Sequence, residues 1–288
     1  TQGEVRTIRL RGLDSEYTQV TLDGVSLGSA DANQGASGNA RAFSFEQVSL
    51  ASMESIEVSK TISADVDANA PAGTINLKTK RAFERKGRRI SWQTHFMANG
   101  DNFTWRREHG PRDIRTGKFR PGAILEYSDV FLNKRLGVVL NISESNVYQE
   151  ALITSQGYNA TPTAADPRPL VPTTLNFQWA PRFNKRFATT LTADYRFSSE
   201  FNAGLGIVYN YADLWTPQRT TIFNASTRTA VVGADPLLGF TSAPTGTVQV
   251  NPVAVSKMGE TFTLLPRVAY KRGGLEVEGK VAYSDSTS

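Results

Sequence analysis

The chain has 288 residues, 39% apolar and 10% aromatic, enough for one large domain or two ordinary ones and too much for a disordered tail. It has no Cys and only two His, His95 and His109, which excludes disulfide scaffolds, thiolate chemistry and His-rich metal centres. The net charge of +5 is uneven: residues 1–77 carry five Lys/Arg against ten Asp/Glu, and residues 78–120 carry thirteen against four.

Short β-type runs cut by Gly and Asp fill residues 1–80. Arg6–Leu10 and Tyr17–Leu22 alternate, and Asp23-Gly24 is a two-residue turn signal before Val25. Residues 29–42 are Gly, Asn, Ala and Ser with almost no apolar anchor, a long exposed loop. The mixed spacing from Phe45 to Met53 fits one or two helical turns. Ile56–Val58 and Thr74–Lys78 are two further short strands. The expectation is a small α+β domain of about four strands. Asp65-Val66-Asp67 opens like a calcium loop, but Ala70 and Asn76 stand where that loop needs Gly and Glu, so no metal is expected.

Four segments of this region stand in a telling order: Leu10-Arg11-Gly12-Leu13, Thr21-Leu22-Asp23-Gly24-Val25, Ile56-Glu57-Val58-Ser59-Lys60, and Ala72-Gly73-Thr74-Ile75-Asn76-Leu77-Lys78-Thr79-Lys80. Together they resemble the plug domain of TonB-dependent outer-membrane receptors, with small departures at Leu10, Ser59 and Ala72. The resemblance covers residues 1–80 by motif. It implies a plug that closes a β-barrel, an extracellular nutrient ligand, and periplasmic TonB with its inner-membrane energy complex as partners. Arg11 and Glu57 match motif positions and, with Lys60, are candidates for charged contacts between plug and wall or within the plug.

Beyond the basic run Lys78–Arg89, a boundary at residue 80/81 separates the plug from a different texture. The run itself reads as a solvated linker or as a contact for anionic lipid headgroups. No recognition helix or stacking platform accompanies it, so no nucleic-acid partner is expected. No run of ~18 apolar residues fits a transmembrane helix. Instead, seven stretches alternate with period two, long enough for tilted membrane strands of ~9–11 residues. These are Arg89–Asn99, 120–132, 135–149, 174–197, Phe201–Trp215, 260–271 and Leu275–Tyr283. Several end in aromatics. Leu205, Ile207, Val277 and Val281 are expected to face lipid, and His95, Glu276, Glu278 and Lys280 the lumen.

Loop lengths alternate along the chain. Long connections at 100–119, 154–172 and 225–258 are interleaved with short ones at 133–134, 198–200 and 272–274, the pattern of extracellular loops and periplasmic turns. Plugged transporters close with about 22 strands. Seven strands with no signal peptide or TonB box therefore imply a piece: the later plug, residues 1–80, and the first part of an antiparallel transmembrane barrel, residues 81–288.

No catalytic constellation or cofactor motif is present, so a non-enzymatic receptor of the bacterial outer membrane is expected. In the plug loop, Asn33, Gln34 and Asn39 offer paired amide donors and acceptors to sugar hydroxyls. In the first long loop, Trp105 offers a stacking face and Arg106 and Arg107 offer charge-assisted bonds. Carbohydrate is favoured over an iron–siderophore. A passive channel or adhesin and a soluble β-rich binding module remain open alternatives.

Overall fold

The computed structural model describes residues 8–26, 45, 53–60, 70–84, 87–100, 104–164, 168–224, 231–232, 240–241 and 246–287. Two sheets dominate. The first contains β1 (Thr18–Leu22), β2 (Val25–Ser26), β3 (Met53–Ser59) and β4 (Gly73–Thr79), in the order β2-β1-β4-β3. The Asp23-Gly24 turn joins β1 to β2 with both residues at positive φ, which gives the twist a tight antiparallel hairpin requires. β4 then lies parallel to β1 and antiparallel to β3.

Alternation along β4 buries Ile75 and Leu77 with Val20, Leu22, Leu10, Met53 and Ala72. Gly73 sits at φ 126, and a Cβ there would meet the Ser59 carbonyl oxygen at 2.3 Å. A glycine is therefore built into the β3–β4 crossing. Residues 8–10 are not a strand. They lead into a turn in which Arg11 and Gly12 both take positive φ and the Leu13 N–H donates to the Leu10 carbonyl at 3.0 Å.

The expected helical turn at 45–53 falls mostly outside the described residues, and Met53 itself opens β3. Among the described residues helix is confined to single 3-10 turns at Ser15–Tyr17, Ala82–Glu84 and Pro111–Asp113, so the α+β expectation becomes β alone there.

The second sheet is antiparallel throughout. Its strands are β5 (Arg89–Met97), β8 (Arg120–Phe131), β9 (Leu136–Asn159), β10 (Val171–Arg196), β11 (Phe201–Asn224), β14 (Thr247–Arg272), β15 (Leu275–Lys280) and β16 (Tyr283–Thr287). Small ladders decorate two of the long connections: β6 (Arg107–His109) with β7 (Arg115–Gly117), and β12 (Val231–Val232) with β13 (Phe240–Thr241). Every neighbour in the main sheet is the next long strand in sequence, as in an up-and-down barrel wall. The sheet is open, since β5 and β15 are not paired with each other among the described residues.

β15 and β16 are one stave. Both pair with β14 in a single register, and the gap at 281–282 lies opposite Leu265 and Pro266. Proline has no N–H for the ladder there. The seven staves expected from alternation are thus present.

The strands run longer than the sequence suggests. Residues 154–159 pair with 171–177, and 247–258 pair with 213–224, so much of two expected loops is strand. These ribbons reach past the membrane belt and need no apolar face, which removes the hydrophobic signal. Pro217 and Pro252 hide those of β11 and β14 further. Pro181 and Pro217 stand opposite each other, and the β10–β11 ladder is interrupted at that point without losing register.

The wall has two chemically distinct faces. One carries Ser128, Asn141, Ser143, Thr190, Thr192, Asp194, Thr261 and Thr263, all buried and polar. The other carries Leu125, Leu140, Ile142, Leu191, Leu205, Ile207, Val268 and Val277. Aromatics bracket this apolar band. Tyr195, Phe197 and Phe201 interlock near the short turns, with rings 4.7 and 5.2 Å apart. Phe187 and Tyr209 lie eight residues further up their strands. Eight residues at ~3.3 Å and a tilt of ~40° rise about 20 Å, close to the ~25 Å apolar band of an outer-membrane barrel.

Candidate functional site

The plug sheet rests on the polar face of the wall, so that face is the lumen. Its contact is partly apolar: Val208 of β11 and Leu265 of β14 join the plug core. Beside this patch stands a three-residue ionic bridge. Arg267 on β14 donates from Nε to Asp194 on β10 at 3.0 Å, and its guanidinium also approaches Asp23 of the plug at 3.8 Å. All three side chains are about nine-tenths buried. Gly204 of β11 makes the room, because a Cβ there would meet both Asp194 Oδ1 and Arg267 Nε near 2.5 Å.

The plug motifs supply the other end of this bridge. Asp23 is fixed by accepting from the Thr79 backbone N–H at 3.0 Å and from the Thr79 hydroxyl at 2.6 Å. Asn76 accepts from the Gly24 N–H at 2.9 Å and from the Thr21 hydroxyl at 3.0 Å, and its amide donates to Glu57 at 3.5 Å. Glu57 pairs with Lys78 across the β3–β4 ladder. The hydrogen bond from Lys78 holds the Glu57 carboxyl below the usual carboxylate range. Three of the four motifs therefore form one hydrogen-bonded unit that orients Asp23 toward the wall. A polar cavity of about 490 Å³ opens beside it, lined by Asp23, Glu54, Asn76, Lys78, Arg81 and Lys280 among others.

Past β4 the chain is fastened to the wall. Lys80 donates to Glu126 of β8 at 2.6 Å, Arg88 donates to Asp129 at 2.7 Å, and the Arg196 guanidinium stacks 3.8 Å above the Phe83 ring. The basic run is thus partly a clamp. A lysine buried against a wall needs a carboxylate partner, and Glu126 of β8 provides it for Lys80.

Of the other residues singled out in the sequence, Arg11 is exposed in its turn and Lys60 is exposed just past the end of β3. Asn33, Gln34 and Asn39 lie outside the described residues. Trp105, Arg106 and Arg107 are exposed at the start of the first long connection, and the Trp105 ring tilts against Phe119 at 5.8 Å. His95 lies opposite Gly122 on the lumen side of β5.

Sequence reasoning missed Asp194, Arg267, Glu126 and Asp129. Each sits on an alternating strand as one polar residue among many, and only the register brings Asp194 and Arg267 together beside Asp23, Glu126 to Lys80 and Asp129 to Arg88. An unusual signal was available for Asp194: a carboxylate among threonines on the lumen face of β10.

Residues 1–74 match the TonB-dependent Receptor Plug Domain family. No curated protein matches the chain. Among solved structures, the outer membrane transporter YddB from Escherichia coli is 9% identical, with a TM-score of 0.33 and coverage of 99% of this chain and 51% of that one. The FrpB iron transporter from Neisseria meningitidis is 9% identical, with a TM-score of 0.23 and coverage of 94% and 54%. The siderophore receptor PiuA from Acinetobacter baumannii is 10% identical, with a TM-score of 0.21 and coverage of 99% and 56%. The chain spans about half the length of these proteins. With its plug motifs joined into one sheet against an antiparallel wall, residues 1–74 match the plug domain of TonB-dependent receptors, and it is to these receptors of the bacterial outer membrane that the chain is similar.

Proposed function

We propose that the protein acts in energy-coupled import, binding a scarce nutrient outside and admitting it when TonB, driven by the inner-membrane proton gradient, rearranges the plug. The observation that carries this reading is the uneven attachment of the plug. Its C-terminal side is clamped through Lys80 and Phe83. Among the described residues the body of the sheet meets the wall through an ionic bridge at Asp23 and an apolar patch at Val208 and Leu265. Such a plug closes the lumen at rest and yields locally under load, without leaving the barrel. A passive channel has no use for this arrangement.

A carbohydrate is the first substrate to test and an iron–siderophore the second. The plug-loop amides Asn33, Gln34 and Asn39 are our candidates for ligand hydroxyls. Uptake of a radiolabelled nutrient, chosen by growth on single carbon and iron sources, should stop when the proton gradient is collapsed. Uptake that persists would make the protein a passive channel. Replacing the three amides by Ala should weaken binding at least about tenfold, or ~1.4 kcal/mol. Unchanged affinity would remove that loop from the site.

A further inference from the structure

Beyond the plug contact, on the side of the long connections, four staves sort their side chains by charge. The stretches are 143–157 of β9, 174–188 of β10, 208–224 of β11 and 247–261 of β14, all within the described residues. Their carboxylates, Glu144, Glu150, Asp213 and Glu260, all take the face turned away from the plug. Glu144 pairs there with Lys185 at 3.5 Å and Glu150 with Lys118 at 3.2 Å, and Glu260 accepts from the Tyr209 hydroxyl at 3.0 Å. The aromatic rings of these stretches take the same outward side, Phe183, Phe187, Tyr211 and Trp215 among them.

The lumen side is the reverse. Arg182 and Arg186 of β10 and Lys257 of β14 lie on it, and within these stretches it carries neither a carboxylate nor an aromatic ring. Arg182 is buried, and Arg186 and Lys257 are half-buried. The row that continues Arg186 across the sheet holds only Ala212 and Gly259, which keeps bulk out of the space beside Lys257. Amides occupy much of the remaining face: Gln149, Asn176, Gln178, Asn184, Gln218 and Asn251. Asn176 donates to the Ser155 hydroxyl at 3.2 Å, and its buried Oδ1 has no partner among the described residues.

A low-dielectric wall lined by charge of one sign focuses the field along it and concentrates ions of the opposite sign. The carboxylates do not cancel that field locally, because they stand across the sheet and have outward partners of their own. Guanidinium forks bind carboxylates through paired N–H bonds, and amides both donate to and accept from hydroxyls. A face without rings gives an aromatic iron chelate nothing to stack on.

We propose that the imported solute is a hydroxyl-rich polycarboxylate, held on the lumen face by Arg182, Arg186 and Lys257 with the amides around them. This narrows the import reading, on which it rests, to an acidic solute. Two sources share that chemistry, an acidic oligosaccharide and a ferric hydroxycarboxylate.

The full-length receptor, extracted from outer membranes in detergent, would be titrated with an oligogalacturonate, with its methyl ester and with ferric citrate. At least one acid should bind, at least about tenfold more tightly than the ester, and should weaken as salt is raised. Binding of the oligogalacturonate assigns the sugar source, and binding of ferric citrate alone the iron source. R182Q/R186Q should weaken that binding at least about tenfold, with R182K/R186K retaining part of it. If R182Q/R186Q fails to assemble, as judged by heat-modifiable gel mobility, K257Q carries the same expectation. K185Q/R219Q removes equal charge from the outward face and should leave binding unchanged. The assignment is overturned if neither acid binds, if the ester binds as tightly as an acid, if the lumen variants bind like the parent, or if K185Q/R219Q weakens binding as much as they do. None of these titrations needs a proton gradient. Acid binding with uptake that survives collapse of the gradient would keep the site and remove the import reading. Gradient-dependent uptake that does not distinguish acid from ester would do the reverse.

Discussion

The plug sheet and the barrel wall bury opposite kinds of surface. In the plug, Ile75 and Leu77 point into an apolar core while Asn76 and Lys78 on the alternate side form hydrogen bonds and an ion pair. In the wall, Thr190, Thr192 and Asp194 are the buried side and Leu191 and Leu205 face out. A plug in an aqueous lumen folds as a soluble domain does, with oil inside. A wall in lipid is turned inside out. The two meet where each departs from its own rule: the wall offers Val208 and Leu265, and the plug offers Asp23. Among the described residues the seam between them is therefore mixed in character.

The largest expected contrast is one of accessibility. Single cysteines in place of Ser155, beside a long connection, and Ser199, in a short turn, should behave oppositely: an impermeant thiol reagent labels the first in intact cells and leaves the second untouched. Equal labelling would reverse or abolish the inside–outside assignment of the wall.

Truncating the plug core should cost more than any single change at the seam. Leu77 is fully buried, and Leu77→Ala should destabilise the plug by about 2–5 kcal/mol. Hydrogen exchange would rise in β1 and β4, while the heat-modifiable gel mobility of the barrel stays unchanged. A barrel that also loosens would mean the two regions fold as one.

The neighbours Ile207 and Val208 probe the two faces directly. Ile207→Arg places a charge on the lipid side near mid-height and should lower barrel stability in vesicles by about 2–4 kcal/mol. Val208→Arg should leave barrel folding intact and disturb only the plug. Similar urea midpoints for the two variants would show the register to be shifted by one residue.

At the seam, Asp23→Ala leaves the Thr79 N–H and hydroxyl without their acceptor and Arg267 with Asp194 alone. The expected cost is about 1–3 kcal/mol, confined to the plug and measured by its protease resistance. The smallest effect is a pH dependence. The Glu57 carboxyl is held below its ordinary range in the folded plug by the bond from Lys78. The unfolded chain takes up that proton first as pH falls, so the contribution is present above the carboxylate range and lost below it. Glu57→Gln should flatten the acid limb of plug unfolding. An unaltered limb would place the acid sensitivity elsewhere.

How far these features were legible depends on their range along the chain. The Asp23-Gly24 hairpin, the period-two faces of β11 and β15, and the parity of connection lengths can be read from neighbouring residues, because a turn's φ signs and a strand's alternation are local properties. The outer halves of β9, β11 and β14 were not legible, since a ribbon clear of lipid carries no apolar face and Pro217 and Pro252 imitate loop, whereas β10 was read nearly to its full length.

The sequence by itself determined the plug motifs, the number of staves and which side of each stave is apolar. Tertiary structure decided the rest. Asp194 and Arg267 meet Asp23 only because β10, β11 and β14 stand in one register, with Gly204 opening the space between two side chains 73 positions apart. Lys118, in the connection between β5 and β8, likewise meets Glu150 of β9 from 32 positions away. Strand register and loop docking are settled by pairing energies between distant segments, and no window along the chain contains both partners.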